Sequence, residues 1–108
     1  MRILFVCTGN VCRAPMAERL FIAYAARSRY GDLKASSAGT HALTEHPIDP
    51  YAARVLEKLG GETSNFAARQ LTRAIAADAD LVLTMTKAHR DDVLKHAPHQ
   101  LHRTFTLG

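Results

Sequence analysis

Apolar residues fall into short runs between polar turns, alternating with longer stretches of helical period. Arg2 to Val6 is a brief apolar run with β-branched members, bounded by Thr8-Gly9-Asn10, and it predicts a buried strand. Ala14-Pro15 opens a helix, because proline in the first turn gives up an N–H that has no helical acceptor. From Met16 to about Ser28 the residue types favour helix. Leu20, Ala23, Tyr24 and Arg27 recur there at i, i+3, i+4 and i+7 and predict one mostly apolar face, with Gly31 ending the stretch. Leu33 to Ala38, followed by Gly39, predicts a second strand of small side chains, and Thr40 to His46 a loop. Asp49-Pro50 starts a helix that runs to about Leu59 and closes at Gly60-Gly61. Asn65 to Leu71 has no decisive period. Thr72 caps a short helix through Ala77, and Leu81 to Met85 is the clearest interior strand. Thr86 caps a helix from Lys87 to about His96 that stops before Pro98, and His102 to Leu107 predicts the last strand.

This alternation predicts an α/β fold, a parallel sheet with helices on both faces. Ligands of such sheets bind beyond the carboxyl ends of the strands, where Cys7 falls. At 108 residues the chain makes one domain, residues 1–108, around a single core. A content of 47% hydrophobic and 22% charged residues excludes a disordered chain. No apolar run approaches the roughly 20 residues of a membrane span. The first apolar stretch ends too soon for a signal peptide, so the cytoplasm is the expected location. The net charge of +4 suits an anionic ligand. The basic residues are nonetheless scattered (Arg19, Arg27, Arg54, Arg73, Arg90, Arg103), which argues against a nucleic-acid partner. Cys7 and Cys12 are too few for a disulfide framework or a structural zinc site, and no cofactor is expected.

The chemistry concentrates in Cys7-Thr8-Gly9-Asn10-Val11-Cys12-Arg13-Ala14-Pro15. A phosphate dianion is held by several donors converging at fixed distance. A tight loop feeding a helix N-terminus supplies them as backbone N–H groups, and the helix dipole favours the negative charge. Gly9 and Asn10 tolerate the positive φ such a curl demands. Arg13, six positions after Cys7, lies at the helix mouth, where its planar fork can hold two oxygens. The same donors would keep Cys7 as a nucleophilic thiolate. A cysteine is often only a small buried hydrophobe, and a Cys followed by Arg at this spacing arises by chance. The preceding strand, the Gly-Asn inside and the Arg-x-Pro at a helix opening set this segment apart.

Val6 to Pro15 resembles the loop of the low-molecular-weight protein tyrosine phosphatases, V-C-x-G-N-x-C-R-S-P. The likeness continues through Ser36-Ser37-Ala38-Gly39-Thr40, Ala68-Arg69-Gln70-Leu71 and Asp80-Leu81-Val82-Leu83-Thr84-Met85, spanning essentially the whole chain but only the leading part of a family member. The resemblance implies a four-stranded parallel sheet in a three-layer α/β/α arrangement. It also implies hydrolysis of phosphomonoesters through a cysteinyl-phosphate intermediate, on a phosphotyrosine protein or a small phosphomonoester. By the same resemblance Cys7 is the nucleophile, Arg13 binds phosphate, and the N–H groups of Thr8, Gly9, Asn10, Val11, Cys12 and Arg13 form the cradle. Asn10 would hold the loop's shape, and Cys12 would shield Cys7 as a reversible disulfide.

Three departures carry expectations. Ala14 stands where the family usually has a serine whose hydroxyl donates to the cysteine sulfur; losing a bond to a charged group costs about 1.5–3 kcal/mol and predicts slower breakdown of the intermediate. Phe66 stands where several relatives have a histidine that supports the asparagine. Family members also carry an Asp-Pro well after the last strand, whose Asp protonates the leaving phenolate. This sequence ends at Thr104-Phe105-Thr106-Leu107-Gly108, so the acid loop and the last helix are expected to be missing and activity on phosphotyrosine to be weak. One sheet face near Phe105, Leu107 and the first helix would then be open to a partner or to self-association. Asp49-Pro50 reads as an N-cap and N1 proline instead of a substitute acid, and Asp91-Asp92 as a solvated face.

His96, His99 and His102 are spaced by three, but Pro98 breaks the helix that would align them, and they read as exposed side chains. His41, after the second strand, reads as part of the cleft wall. Two rival functions are an arsenate reductase, whose relay needs cysteines beyond Cys12, and a non-catalytic phosphate or phosphoprotein binder.

Overall fold

The computed structural model describes residues 1–28 and 32–107. Strands β1 (Arg2–Cys7), β2 (Lys34–Gly39), β3 (Leu81–Thr84) and β4 (Thr104–Thr106) form one sheet in the order β2-β1-β3-β4, with every neighbouring pair parallel. Helix α1 (Arg13–Arg27) joins β1 to β2, and α2 (Pro50–Lys58) and α3 (Arg73–Asp78) lie between β2 and β3. Helix α4 (Lys87–His96) and a 3-10 helix (Pro98–Arg103) lead into β4.

A central strand must bury both faces, which explains the unbroken apolar run of β1. Ile3, Phe5 and Cys7 pack with Ala14, Ala17 and Phe21 of α1, while Leu4 and Val6 pack with Ala76 of α3 and Val93 of α4. Helix α2 lies on α1, where Ile48, Ala52 and Leu56 meet Met16, Leu20 and Phe66. The result is a three-layer α/β/α arrangement, as expected. The chain leaves β1 for β2 on one side and returns to β3 on the other, so the strand order reverses at the carboxyl end of β1. That reversal opens the crevice in which such sheets bind ligands.

Two expectations are corrected. The face of α1 turned to the sheet and α2 keeps only part of Leu20-Ala23-Tyr24-Arg27: Leu20 packs on α2, but Tyr24 is 68% exposed and Arg27 is exposed, and the buried residues are Ala14, Pro15, Glu18 and Ala25. Small side chains let the helix approach the sheet. Glu18 is tolerated inside because its carboxylate accepts from Ser37 Oγ and from Arg19 Nε, both at 2.8 Å. The last strand is also shorter than predicted, because His102 and Arg103 belong to the 3-10 helix. Pro98 opens that helix, and buried Gln100 pins it to α3 and the turn after it by donating to Ala76 O and Ala79 O at 2.8 Å. Thr104 Oγ1 donates back to Gln100 O at 2.8 Å.

The stop assigned to Gly31 lies outside the described residues. Asn65 to Leu71 forms no helix; its Gln70 makes an isolated parallel bridge with Gly39. No helix among the described residues is long and apolar enough to cross a membrane. On the α1 side, Phe105 is 53% and Leu107 43% exposed, beside half-buried Leu81 and Leu83, so this face is under-covered among the described residues.

Candidate active site

Cys7 closes β1 as a buried free thiol, and the chain then curls through Thr8 to Cys12 into α1. Asn10 makes the curl with φ 59°, and it is the only residue of the loop in the left-handed region. Gly9 does not share that conformation, contrary to expectation. One such residue reverses the loop, and Asn10 adds what glycine cannot: its buried Oδ1 accepts the Arg69 N–H at 2.8 Å.

The carbonyls of Cys7, Thr8, Gly9 and Val11 are engaged by the surrounding chain, and that of Cys12 by α1. Cys7 O accepts from Thr40 N, Thr8 O from His41 N and Gly9 O from Leu43 N, each at 2.9 Å. Val11 O accepts from Asp49 N at 2.7 Å and Cys12 O from Met16 N at 3.1 Å. Peptide planes with their C=O turned out turn their N–H in. Among the described residues, no N–H from Thr8 to Arg13 donates to a protein acceptor. Cys12 is the N-cap of α1 without a side-chain cap bond, and the first turn holds no acidic residue, so the positive end of the helix dipole is uncompensated there. Arg13 adds its exposed guanidinium at the same end. The structure therefore places buried Cys7, a run of free peptide donors and the exposed Arg13 in sequence between the end of β1 and the opening of α1.

Gly39, at the end of β2, permits this. A Cβ there would collide with Thr8 O and lie 3.1 Å from the Cβ atoms of both Ala42 and Asn10. Its own N–H donates to Arg69 O at 2.9 Å. The small residues Ser36 to Gly39 were the sequence signal for this close approach, although Gly39 itself was not read as a site residue.

His89 of α4 was missed altogether. Its Nε2 lies 2.8 Å from Thr8 Oγ1, and its Nδ1 accepts the Thr86 N–H at 3.1 Å while Thr86 Oγ1 accepts the His89 N–H at 3.2 Å. Burial holds its pKa below the ordinary 6.5, the nearby Arg13 charge pushes the same way, and Asp92 opposes. The available signal was Thr86-x-x-His89, a capping box with histidine where glutamate is usual.

Ala14 is fully buried in one cluster with Cys7. Phe66 packs into the α1–α2 cluster, with the Arg19 guanidinium 5.5 Å above its ring, and Arg19 also donates to Ser64 O at 2.9 Å. Held there, Phe66 offers Asn10 nothing polar, and Asn10 Nδ2 is buried without a partner among the described residues. The Asp49 carboxylate caps α2, accepting from Tyr51 N and Ala52 N at 3.1 Å. Asp91 is exposed, and half-buried Asp92 lies 3.8 Å from Lys95 Nζ. His41 is exposed at the loop's rim, its backbone bonded to Thr8. His96, His99 and His102 are exposed. A concavity of about 540 Å³ lies beside α3 on the sheet face that carries Leu4, away from Cys7.

The family model described as low molecular weight phosphotyrosine protein phosphatase matches residues 2–108. The chain belongs to that family. Among curated proteins it is similar to the low molecular weight protein-tyrosine-phosphatase Etp of Escherichia coli, at 41% identity over 98% of this chain and 68% of the relative. Its fold matches the low molecular weight protein tyrosine phosphatase of T. tengcongensis with a TM-score of 0.89 at 39% identity, covering 98% of this chain and 72% of that one. It also matches a cysteine-to-serine mutant of the YwlE arginine phosphatase, solved with a phosphorylated active site serine, with a TM-score of 0.87 at 36% identity over 98% and 68% of the two chains. Phosphatases of this family are enzymes, and the loop beyond β1 is the element this chain holds in common with the V-C-x-G-N-x-C-R motif.

Proposed function

We propose that residues 1–108 form a phosphatase domain that hydrolyses phosphomonoesters through Cys7. The single observation that carries the reading is the orientation of the loop: the carbonyls of Cys7, Thr8, Gly9, Val11 and Cys12 are engaged while its N–H groups, from Thr8 through Gly9, Asn10, Val11 and Cys12 to Arg13, are unspent among the described residues. These donors and the α1 dipole bind the three terminal oxygens of a phosphate dianion, and the Arg13 fork takes two of them. The Cys7 thiolate attacks phosphorus, a P–S bond forms and the ester P–O bond breaks. Water then cleaves the P–S bond, releasing inorganic phosphate and the thiolate. The same donors stabilise the charge that builds on the equatorial oxygens in both steps.

The leaving oxygen must take a proton. Among the described residues the nearby carboxylates are engaged elsewhere: Asp49 caps α2 and Glu18 is bonded to Ser37 and Arg19. Neither is free to donate it, and general-acid help to such a leaving group is typically worth about 10²–10⁴-fold. Phosphotyrosine proteins are the substrate class we infer from the family, with phosphoarginine as the competing class because a structural relative is an arginine phosphatase. Exposed Cys12, five positions from Cys7, is the proposed redox partner, and two free thiols suit the cytoplasm.

The experiment is a comparison of p-nitrophenyl phosphate, phenyl phosphate, phosphotyrosine peptide and phosphoarginine, with acid-quench trapping of the phosphoenzyme. The activated ester should turn over and label Cys7, phenyl phosphate should be slower by about 10²-fold or more, and Cys7→Ala should abolish turnover. Turnover that survives Cys7→Ala refutes the reading. Phosphate binding without any phosphocysteine would make the chain a binder.

A further inference from the structure

Thr8 and His89 are separated by 81 positions and joined by the 2.8 Å contact between Oγ1 and Nε2. The direction of that bond follows from the other ring nitrogen. Nδ1 accepts the Thr86 N–H at 3.1 Å, and a nitrogen that accepts from an amide carries no proton. The ring is therefore neutral with its proton on Nε2, and Nε2–H donates to Thr8 Oγ1. The Thr8 oxygen accepts this bond, so its own hydrogen cannot also point at the imidazole. It is turned away from α4. Thr8 directly follows Cys7, is exposed, and is the first residue of the loop whose N–H groups are unspent.

We infer that the Thr8 side chain is a further phosphoryl-binding donor of this loop and that His89 is the positioning residue that fixes its hydroxyl rotor. The inference rests on the proposed phosphate reading of the loop and adds to it a side-chain donor set by an element far from the motif. A free hydroxyl in water samples three rotamers and can present a lone pair to the anion, which repels. Occupying its acceptor side with Nε2–H leaves a donor for a phosphoryl oxygen, with no reorganisation on binding. His89 does not act as a general acid. Protonating it would place a hydrogen on Nδ1 against the Thr86 N–H, beside the Arg13 charge, so it orients the hydroxyl and keeps its proton.

The test is calorimetric titration of the whole chain with inorganic phosphate, together with KM and kcat on p-nitrophenyl phosphate. Thr8→Val, similar in shape but without the hydroxyl, should weaken phosphate binding by roughly fivefold or more, and Thr8→Ser should restore most of it. His89→Asn keeps an acceptor for the Thr86 N–H but cannot reach Thr8. It should weaken phosphate by about as much as Thr8→Val, with the loss showing in KM, and the double variant should be no worse than Thr8→Val alone. His89→Gln, whose amide can reach Thr8, should recover affinity even as the lost cap lowers the melting temperature. Imidazole nitrogen shifts in the unaltered protein should report the Nε2–H form, and that signal should move when phosphate is added. Phosphate affinity unchanged in Thr8→Val, additive losses in the double variant, or an Nδ1–H ring would each overturn the inference while the phosphatase reading stood. If the unaltered protein neither binds phosphate nor turns over the activated ester, the reading and the inference fall together.

Discussion

Ala14 packs with Ile3, Phe5 and Cys7 in one buried cluster, so a hydroxyl added at its Cβ enters the cluster that holds the cysteine. Asn10 Nδ2, a buried donor of the same loop without a partner among the described residues, is available to donate to an added hydroxyl oxygen. Ala14→Ser should therefore speed steady-state turnover by about tenfold, the value of one hydrogen bond to a charged group, by easing breakdown of the phosphoenzyme. Burst and steady-state release of p-nitrophenol separate the two steps, and an unchanged steady rate would remove this role for residue 14. His89 makes a second prediction. Its pKa is depressed in the folded chain, so below the ordinary 6.5 the unfolded chain binds the extra proton first. Stability contributed by the neutral ring is complete above pH 6.5 and is lost as pH falls toward the depressed value. The groups facing the ring are Arg13 from α1 and Asp92 on its own helix, and the other five histidines are exposed. Urea midpoints measured from pH 7 to 5 should drop in the unaltered protein and drop less in His89→Asn.

Strand β2 and the loop after β1 touch closely enough that the strand's last residue has no room for a side chain. A methyl at Gly39 meets the Thr8 carbonyl, whose partner is the His41 N–H, so strain enters the cradle at its first residue. Gly39→Ala should cost about 1–3 kcal/mol and weaken phosphate binding as well. Gly9→Ala is the control for stability. Its φ is not left-handed and its added methyl would lie 3.6 Å from Val11 Cγ2, an ordinary contact, so its melting temperature should stay close to that of the unaltered protein. Equal melting temperatures for both variants would mean that the strand and loop can move apart freely. Helix α2 is tied to the same loop, because Asp49 caps it with its carboxylate while its N–H holds Val11 O.

Over the whole chain, apolar cover is uneven. Among the described residues, one face of the sheet is closed by α3 and α4, while on the other α1 leaves Phe105 and Leu107 exposed. Exposed apolar side chains at the end of the sheet predict contact with a second copy of the chain. Sedimentation velocity should show the weight-average mass rising with concentration, and Phe105→Lys should return it to that of a monomer. A monomer at all concentrations before the substitution would rule out self-association over this face.

The elements were legible where local order carries them: the buried run of β1, the caps Asp49, Thr72 and Thr86, and the loop from Cys7 to Pro15, whose chemistry is written in consecutive residues. Adjacent residues are constrained by the same few dihedrals, so their order alone determines a curl, a cap or a helix start. Pattern failed where packing overrode period. The inward face of α1 follows small side chains and a paired Glu18 instead of the apolar spacing, and Gln100 takes two residues from the last strand by bonding to α3 and the turn after it. Only the tertiary structure decided which strand lies at the centre, how close Gly39 comes to Thr8, that Phe66 turns to Arg19, and that His89 reaches the loop. Those contacts join positions tens of residues apart, and no local period or propensity encodes a distance that folding alone closes.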